Sequence, residues 1–408
     1  MKILVVMADA MNPRSSAGGN RLFDIIRSLK EHGHRLTIIL YKGKLQDQAA
    51  CEKESDCRCV LDNGKLLGCS DRHFGVFLRK EDYETAILSN YYIYTYYAPT
   101  LRRYLPQCRL VFDTIDLHQV RTQRAARLNN NIIEYGRSRI IKCLEDRALS
   151  DCDLLWMVTD YDREYVETME KVESDKILVI PTFHSIYRTI VPFEQRKGII
   201  FLGNYKHDPN IDAVCFFIRQ IYPLLKEAMP ELDVTIAGAS TPEMIYQLCA
   251  NESHVNVVGY IEDPKTLIAR HRVSIAPLRY GSGIKGKIGE YLSCGTPCVT
   301  TSVGAEGMEF TAGREVFIED SPDAFAQAIA TLYSDKGKWV PMSSNGIRYV
   351  KDHLTARPYL QEIEYSLSLT KRRTNWTVYQ NIVIRALLLI NRSGRVLLKR
   401  ARATLAPE

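Results

Sequence analysis

The stretch Val273-Ser274-Ile275-Ala276-Pro277-Leu278-Arg279-Tyr280-Gly281-Ser282-Gly283-Ile284-Lys285-Gly286-Lys287-Ile288-Gly289-Glu290 decides how this chain is read. Its first four residues make a short buried strand. Gly281, Gly283 and Gly286 let the backbone turn tightly and expose N–H groups, and a helix follows over 287–293. A glycine-rich loop that opens a helix favours anions, because the first N–H groups lack helical partners and the macrodipole is positive there. Lys285 and Lys287 add positive charge beside it. Glu290, about one turn into the helix, can accept hydrogen bonds from sugar hydroxyls. The set fits a nucleotide diphosphate and its ribose; a solvated surface loop is the competing reading.

The same alternation extends outward. Downstream lies a strand at 297–300; upstream are strands at 198–202, 233–237 and 255–258 and a helix at 211–228. The N-terminal half repeats the pattern, with strands at 2–8, 35–41, 86–88, 110–112, 154–158 and 177–180. Apolar residues at helical spacing run through 20–31, a loop before them ends in Gly18-Gly19, and a long helical segment covers 120–150. Residues 42–75 read as a polar, cysteine-rich insertion. Alternating strands and helices predict an α/β protein with parallel sheets covered on both faces. Two such runs predict two doubly wound, Rossmann-like domains facing a central cleft, with ligands at the carboxyl ends of the strands. The expected divisions are an N-terminal domain over 1–190, a C-terminal nucleotide-binding domain over 191–352, a helix over 353–370 and a tail over 371–408.

Composition narrows the classes. The chain has 408 residues, 46% hydrophobic and 25% charged, which excludes disordered and collagen-like proteins. No apolar run reaches the ~20 residues needed to span a bilayer. The short apolar start is soon followed by Asp9 and Arg14 and reads as a buried strand, so the expected location is cytoplasmic. Eleven scattered cysteines suit reduced thiols. Cys51, Cys57, Cys59 and Cys69 lie close together in sequence, but without the paired Cys-x-x-Cys spacing of a zinc knuckle. Of the net charge of +6, nine basic residues and only one acid lie from Lys371 onward, which leaves the body slightly negative. On a helical wheel that tail sorts Leu and Ile from Arg and Lys. This is the pattern either of a helix lying on an anionic membrane or of one docked on the protein itself.

The order of motifs carries a resemblance. Phe201-Leu202-Gly203-Asn204, His207-Asp208-Pro209-Asn210, Val258-Gly259-Tyr260-Ile261, the 276–290 stretch and Cys294-Gly295-Thr296-Pro297 follow one another as in the nucleotide-binding domain of glycosyltransferase family 4, which has the GT-B fold. The likeness is close over about 198–355 and looser over 1–190. It implies a retaining transfer of a hexose-type sugar from a nucleotide-diphosphate sugar to a glycan, lipid-linked or small-molecule acceptor, with no metal or other cofactor. By this resemblance Glu290 holds the ribose, and Lys285, then Lys287, stand in for diphosphate-gripping residues. The family's Arg is here Asn204, and its first paired glutamate is Ser282. Gly283, Ile284 and Lys285 would cradle phosphate or sugar through their backbone, and Tyr260 and Ile261 would border the base. Gly18 and Gly19 would close over the diphosphate, and His118 would act on the acceptor side. The 353–370 helix would cross back to the N-terminal domain. Lys285, Lys287 and backbone N–H groups would stabilise the leaving group.

Three other classes compete with this reading. A dinucleotide-dependent oxidoreductase needs Gly-x-Gly-x-x-Gly after the first strand, which is missing. A GT-B protein that binds or epimerises a nucleotide sugar without transfer stays open because of Ser282. A nucleic-acid binder would need a basic, aromatic-rich face in the body, and none is visible.

Overall fold

The computed structural model describes residues 1–8, 17–62, 70–170 and 172–368. The basic tail from 371 onward and Cys69 lie outside the described residues. The chain forms two compact units, dividing at Pro181/Thr182 and again at Ala356/Arg357.

In the N-terminal unit seven strands form one parallel sheet: β1 (Lys2–Met7), β2 (Arg35–Leu40), β3 (Arg58–Leu61), β4 (Thr85–Ser89), β5 (Arg109–Asp113), β6 (Leu154–Met157) and β7 (Ile177–Val179), in the order 3-2-1-4-5-6-7. The strands are apolar runs because helices cover both faces, so there is no polar side to alternate with. Leu4, Val6, Leu88, Leu110 and Phe112 pack against Tyr91, Tyr94 and Tyr97 of the helix Tyr91–Tyr104. The helix Ala356–Ser368 belongs to this unit: Arg109 donates to the carbonyl of Ser366 at 3.3 Å, and His34 Nε2 lies 2.9 Å from Glu364.

The C-terminal unit holds a six-stranded parallel sheet: β8 (Ile199–Leu202), β9 (Val234–Ala237), β10 (Val255–Gly259), β11 (Val273–Ala276), β12 (Cys298–Thr300) and β13 (Val316–Ile318), in the order 10-9-8-11-12-13. In both sheets the strand order reverses beside the first strand, between β1 and β4 and between β8 and β11. Ligands of open α/β sheets bind at the carboxyl ends of strands at such reversals.

Several expectations change. Within 42–75, expected to be an insertion, the described residues supply the helix Leu45–Ser55, the edge strand β3 and the start of the helix Ser70–Glu81. Cys51 and Cys59 are buried there, their sulfurs 3.1 Å apart, and fill space as small apolar residues do. Gly18 and Gly19 do not end a loop; they lie in the first turn of the helix Ala17–Glu31. The 120–150 segment is a hairpin of two helices, His118–Leu128 and Ile132–Asp151. The 211–228 helix starts earlier, at Asp208, and widens into a π turn over Phe217–Ile221. Pro223 lacks the N–H that would reach the carbonyl of Arg219, which accounts for the local widening.

Glycines let the strand ends of the second sheet converge. Gly203 N–H donates to the Ala237 carbonyl at 3.0 Å, and Gly238 N–H to the Gly259 carbonyl at 2.7 Å. Gly238 has φ +145, and a Cβ there would overlap the Gly203 carbonyl oxygen. Gly238→Ala is therefore expected to lower stability by more than ~3 kcal/mol through strain and steric overlap. Gly313→Ala, at φ +79 with open space around it, should cost only about 1 kcal/mol. Thermal unfolding of the two variants tests this; equal shifts would contradict it.

Candidate functional site

In the C-terminal unit the loop from Pro277 to Lys285 joins β11 to the helix Gly286–Ser293. Its course is pinned by side chains. Thr300 and Thr301 donate to the carbonyls of Ala276 and Leu278 at 3.0 and 2.5 Å, and Arg279 makes a two-point ion pair with Asp212, its Nε 2.9 Å from Oδ2. A planar guanidinium held at both ends of its fork fixes the loop against the helix Asp208–Phe216. Ser282 is buried, and Gly283 takes φ +65, which a side-chain-bearing residue would adopt only under strain. Ile284 is half-buried, ahead of the helix.

The two lysines have different surroundings. Lys285 is buried, and its ammonium folds back to donate to the Gly283 carbonyl at 2.6 Å. Lys287 reaches the switch point. Its ammonium donates to Asn210 Oδ1 at 2.5 Å and lies 4.1 Å from the ring centroid of Phe201, a β8 residue. Asn210 in turn donates to the Asn204 carbonyl at 2.7 Å, just past the end of β8. Although part of the Lys287 side chain stays accessible, burial brings its pKa down to about 7, with Lys285 adding to the effect. An ammonium this desolvated gains a great deal when an anion replaces the missing water.

Glu290 lies half-buried one turn further on. Burial raises its pKa, and Lys265 opposes the shift. Among the described residues its carboxylate makes no hydrogen bond and no ion pair. His184 packs on the preceding residue: a Cβ at Gly289 would lie 2.5 Å from its Nε2. Burial lowers the His184 pKa to about 3, so the imidazole there is neutral. Tyr260, 54% exposed, and Ile261 follow β10, which ends at Gly259 in a φ +67 turn. Tyr260 and Ile261 thus lie two strands away from Lys287, at the β10 edge of the sheet.

A second cluster occupies the carboxyl ends of β4 and β5 in the N-terminal unit. Asn90 (φ +87) and Ile115 (φ +61) both hold left-handed backbone there. For a β-branched residue this is strained by roughly 1–3 kcal/mol, and such strain concentrates at functional sites. His118 is buried, its Nδ1 2.8 Å from Asp116 Oδ1 and its Nε2 3.3 Å from the Asn90 amide. Asp116 also pairs with Arg121. Glu145, from the other helix of the hairpin, accepts the N–H groups of His118 and Gln119 at 2.7 and 2.8 Å and so caps the helix His118–Leu128. Burial raises its pKa to about 8. Beside it, Arg21 and Asp113 form a fully buried ion pair at 2.6 Å.

The sequence singled out His118, Lys285, Lys287 and Glu290 as candidates; Asn210, His184, Asn90 and Glu145, which the structure places against or beside them, were not among the candidates. Asn210 lay within a motif already singled out, and that was its available signal. The 27-residue step from His118 to Glu145 has no local signature.

Residues 196–335 match the family model described as Glycosyl transferases group 1. A curated relative, an uncharacterized 44.6 kDa protein in the cps region of Klebsiella pneumoniae, is 20% identical over 197 residues, 45% of this chain and 49% of that protein. The match thus spans about half the length of that relative. Among solved structures, the Anabaena protein HepE in complex with UDP-glucose superposes with a TM-score of 0.70 at 16% identity, covering 90% of this chain and 99% of that one. Sucrose-phosphate synthase from Thermosynechococcus elongatus gives 0.71 at 14% identity, covering 90% and 98%. At these identities the likeness is one of fold: the chain has the GT-B fold, with two parallel-sheet, Rossmann-like units.

The Lys287 environment has a measurable consequence. Its folded pKa lies below the unfolded value of 10.5, so between about pH 7 and 10.5 the unfolded state binds more protons and folding stability rises with pH. In urea unfolding, wild type should therefore gain roughly 2–3 kcal/mol over Lys287→Met between about pH 6 and about pH 9. A pH-independent difference would show that the ammonium is not desolvated.

Proposed function

We propose that this chain is a retaining glycosyltransferase that binds a nucleotide-diphosphate sugar at the carboxyl edge of its C-terminal sheet. The observation that carries the reading is the pairing, on one short helix, of a desolvated ammonium at Lys287 with a carboxylate at Glu290 that makes no hydrogen bond or ion pair among the described residues. A cation near the helix N-terminus suits the diphosphate, and a carboxylate one turn later suits the ribose hydroxyls. The N–H groups of Gly283, Ile284 and Lys285 and the Lys287 ammonium would stabilise charge on the departing diphosphate without a metal ion. Tyr260 and Ile261 would border the base. The complexes of HepE with UDP-glucose make UDP-sugars the first donors to test.

The His118 cluster is assigned to the acceptor. Asp116 orients the imidazole through Nδ1 and leaves Nε2 toward Asn90, an arrangement that suits hydrogen bonding to an acceptor hydroxyl. The donor phosphate would take the acceptor proton in a front-face displacement, which keeps the anomeric configuration and needs no covalent nucleophile. A hexose-type sugar and a glycan or lipid-linked acceptor in polysaccharide assembly accord with the cps-region relative. A nucleotide-sugar binder that does not transfer is favoured only by Ser282 at the position of the first paired glutamate.

The test combines a thermal-shift screen of nucleotide sugars with a transfer assay that follows product anomeric configuration by NMR. Glu290→Ala should weaken donor binding by about 1–3 kcal/mol, the loss of charged hydrogen bonds, with unfolding unchanged in the absence of donor. His118→Ala should cut transfer and leave donor affinity intact. Wild-type donor affinity in Glu290→Ala would refute the ribose assignment; equal losses of binding and transfer in His118→Ala would refute the acceptor assignment. Donor binding without transfer to any acceptor extract would favour the non-transferring reading.

A further inference from the structure

The helical hairpin of the N-terminal unit carries an apolar tip that no other element covers among the described residues. Leu128 and Tyr135 are exposed, and Ile132 and Ile133, the first residues of the second helix, are 87% and 59% exposed. The tip projects. Glu145 stands level with His118, just past the end of β5, through two backbone hydrogen bonds. The stretch 132–145, rising about 1.5 Å per residue, carries the tip roughly 20 Å past that level. The turn is held firmly: Asn130 takes φ +48, and Asn131 Oδ1 accepts the N–H groups of Ile133 and Glu134 at 3.0 and 3.1 Å. The isoleucines are thus presented by a capped helix end.

The charge along the hairpin is mostly positive. From Arg121 to Arg139 the chain carries five arginines, of which Arg121 is paired with Asp116 at the base of the hairpin, and a single acid, Glu134, which is buried. Arg127 and Arg139 are exposed on the two helices flanking the apolar residues. Adjacent exposed aliphatic side chains on a hairpin that also exposes Arg127, Arg139 and a tyrosine suit the boundary between lipid headgroups and acyl chains. The isoleucines enter the apolar layer, the tyrosine lies at the interface, and the guanidinium groups bind headgroup phosphates.

We propose that this tip is a membrane-docking site that takes an anionic lipid surface. It is separate from the basic tail and does not depend on the donor reading. The test is co-sedimentation of the full-length chain with vesicles of phosphatidylcholine alone and of phosphatidylcholine mixed with phosphatidylglycerol. Wild type should bind only the anionic vesicles, and less at high salt. Ile132→Ser/Ile133→Ser and Arg127→Glu/Arg139→Glu should each lower binding by about tenfold, with unchanged thermal unfolding and nucleotide response. Because the tail is common to all variants, an added probe reads the tip itself: Ile132→Trp should gain blue-shifted emission on anionic vesicles. Unchanged binding by both double variants, or an unshifted Ile132→Trp emission, overturns the proposal. So does self-association that is lost in Ile132→Ser/Ile133→Ser without vesicle binding, which would assign the tip to a second copy of the chain.

Discussion

The desolvated ammonium of Lys287 is the constraint on which the C-terminal site depends. Taking a lysine charge out of water is costly unless the surroundings return hydrogen bonds or opposite charge. Here the protein returns one hydrogen bond from Asn210 and the face of Phe201, and no carboxylate forms an ion pair with it among the described residues. That is enough to hold the side chain but not to offset the lost water, so burial brings its pKa down to about 7. The backbone geometry serves the same end. The glycine at 238 lets the ends of β8 and β9 approach, Arg279 and Asp212 pin the loop, and Asn210 ties Lys287 to the end of β8. A site whose fixed charges are incomplete alone and completed by an anion is preorganised for that anion.

The N-terminal cluster uses the opposite economy of charge. His118, Asp116, Arg121 and Glu145 engage one another, and Arg21 closes on Asp113 nearby. Such buried networks specify one arrangement more than they add stability. Their effect here is to fix the imidazole and the start of its helix, with the strained backbone at Ile115 turning the chain between Asp113 and His118. A rigidly oriented imidazole fits hydrogen bonding to a neutral hydroxyl, whereas the under-compensated lysine fits an anion.

Much of the second sheet was legible because four of its strands are short, largely apolar runs closed by Gly or Pro. β8, β9, β10 and β11 were each readable within about one residue from Gly203, Gly238, Gly259 and Pro277. The failures have physical causes. β3 is a short edge strand beginning Arg58-Cys59, whose cysteines and charges hide its burial. The helix Tyr91–Tyr104 is built from tyrosine, isoleucine and threonine, residues that locally favour strands, and is helical because the sheet needs its aromatic face. In the site, Lys285, Lys287 and Glu290 could be read because loop and helix are contiguous. Which lysine reaches the switch point could not, since that follows from Asn210, distant by 77 residues. His184 escaped for the same reason: its place is set by the missing side chain at Gly289.

In the proposed donor site Lys287 is largely deprotonated above neutrality, and the charge of a nucleotide diphosphate would restore its proton. Calorimetric titration with UDP at about pH 8, in two buffers of different ionisation enthalpy, reads this directly. Binding should draw in about one proton per UDP in the wild type, as the ammonium is restored beside the phosphates, and close to none in Lys287→Met. UDP binding with no proton uptake in the wild type, or the same uptake in Lys287→Met, would contradict the account.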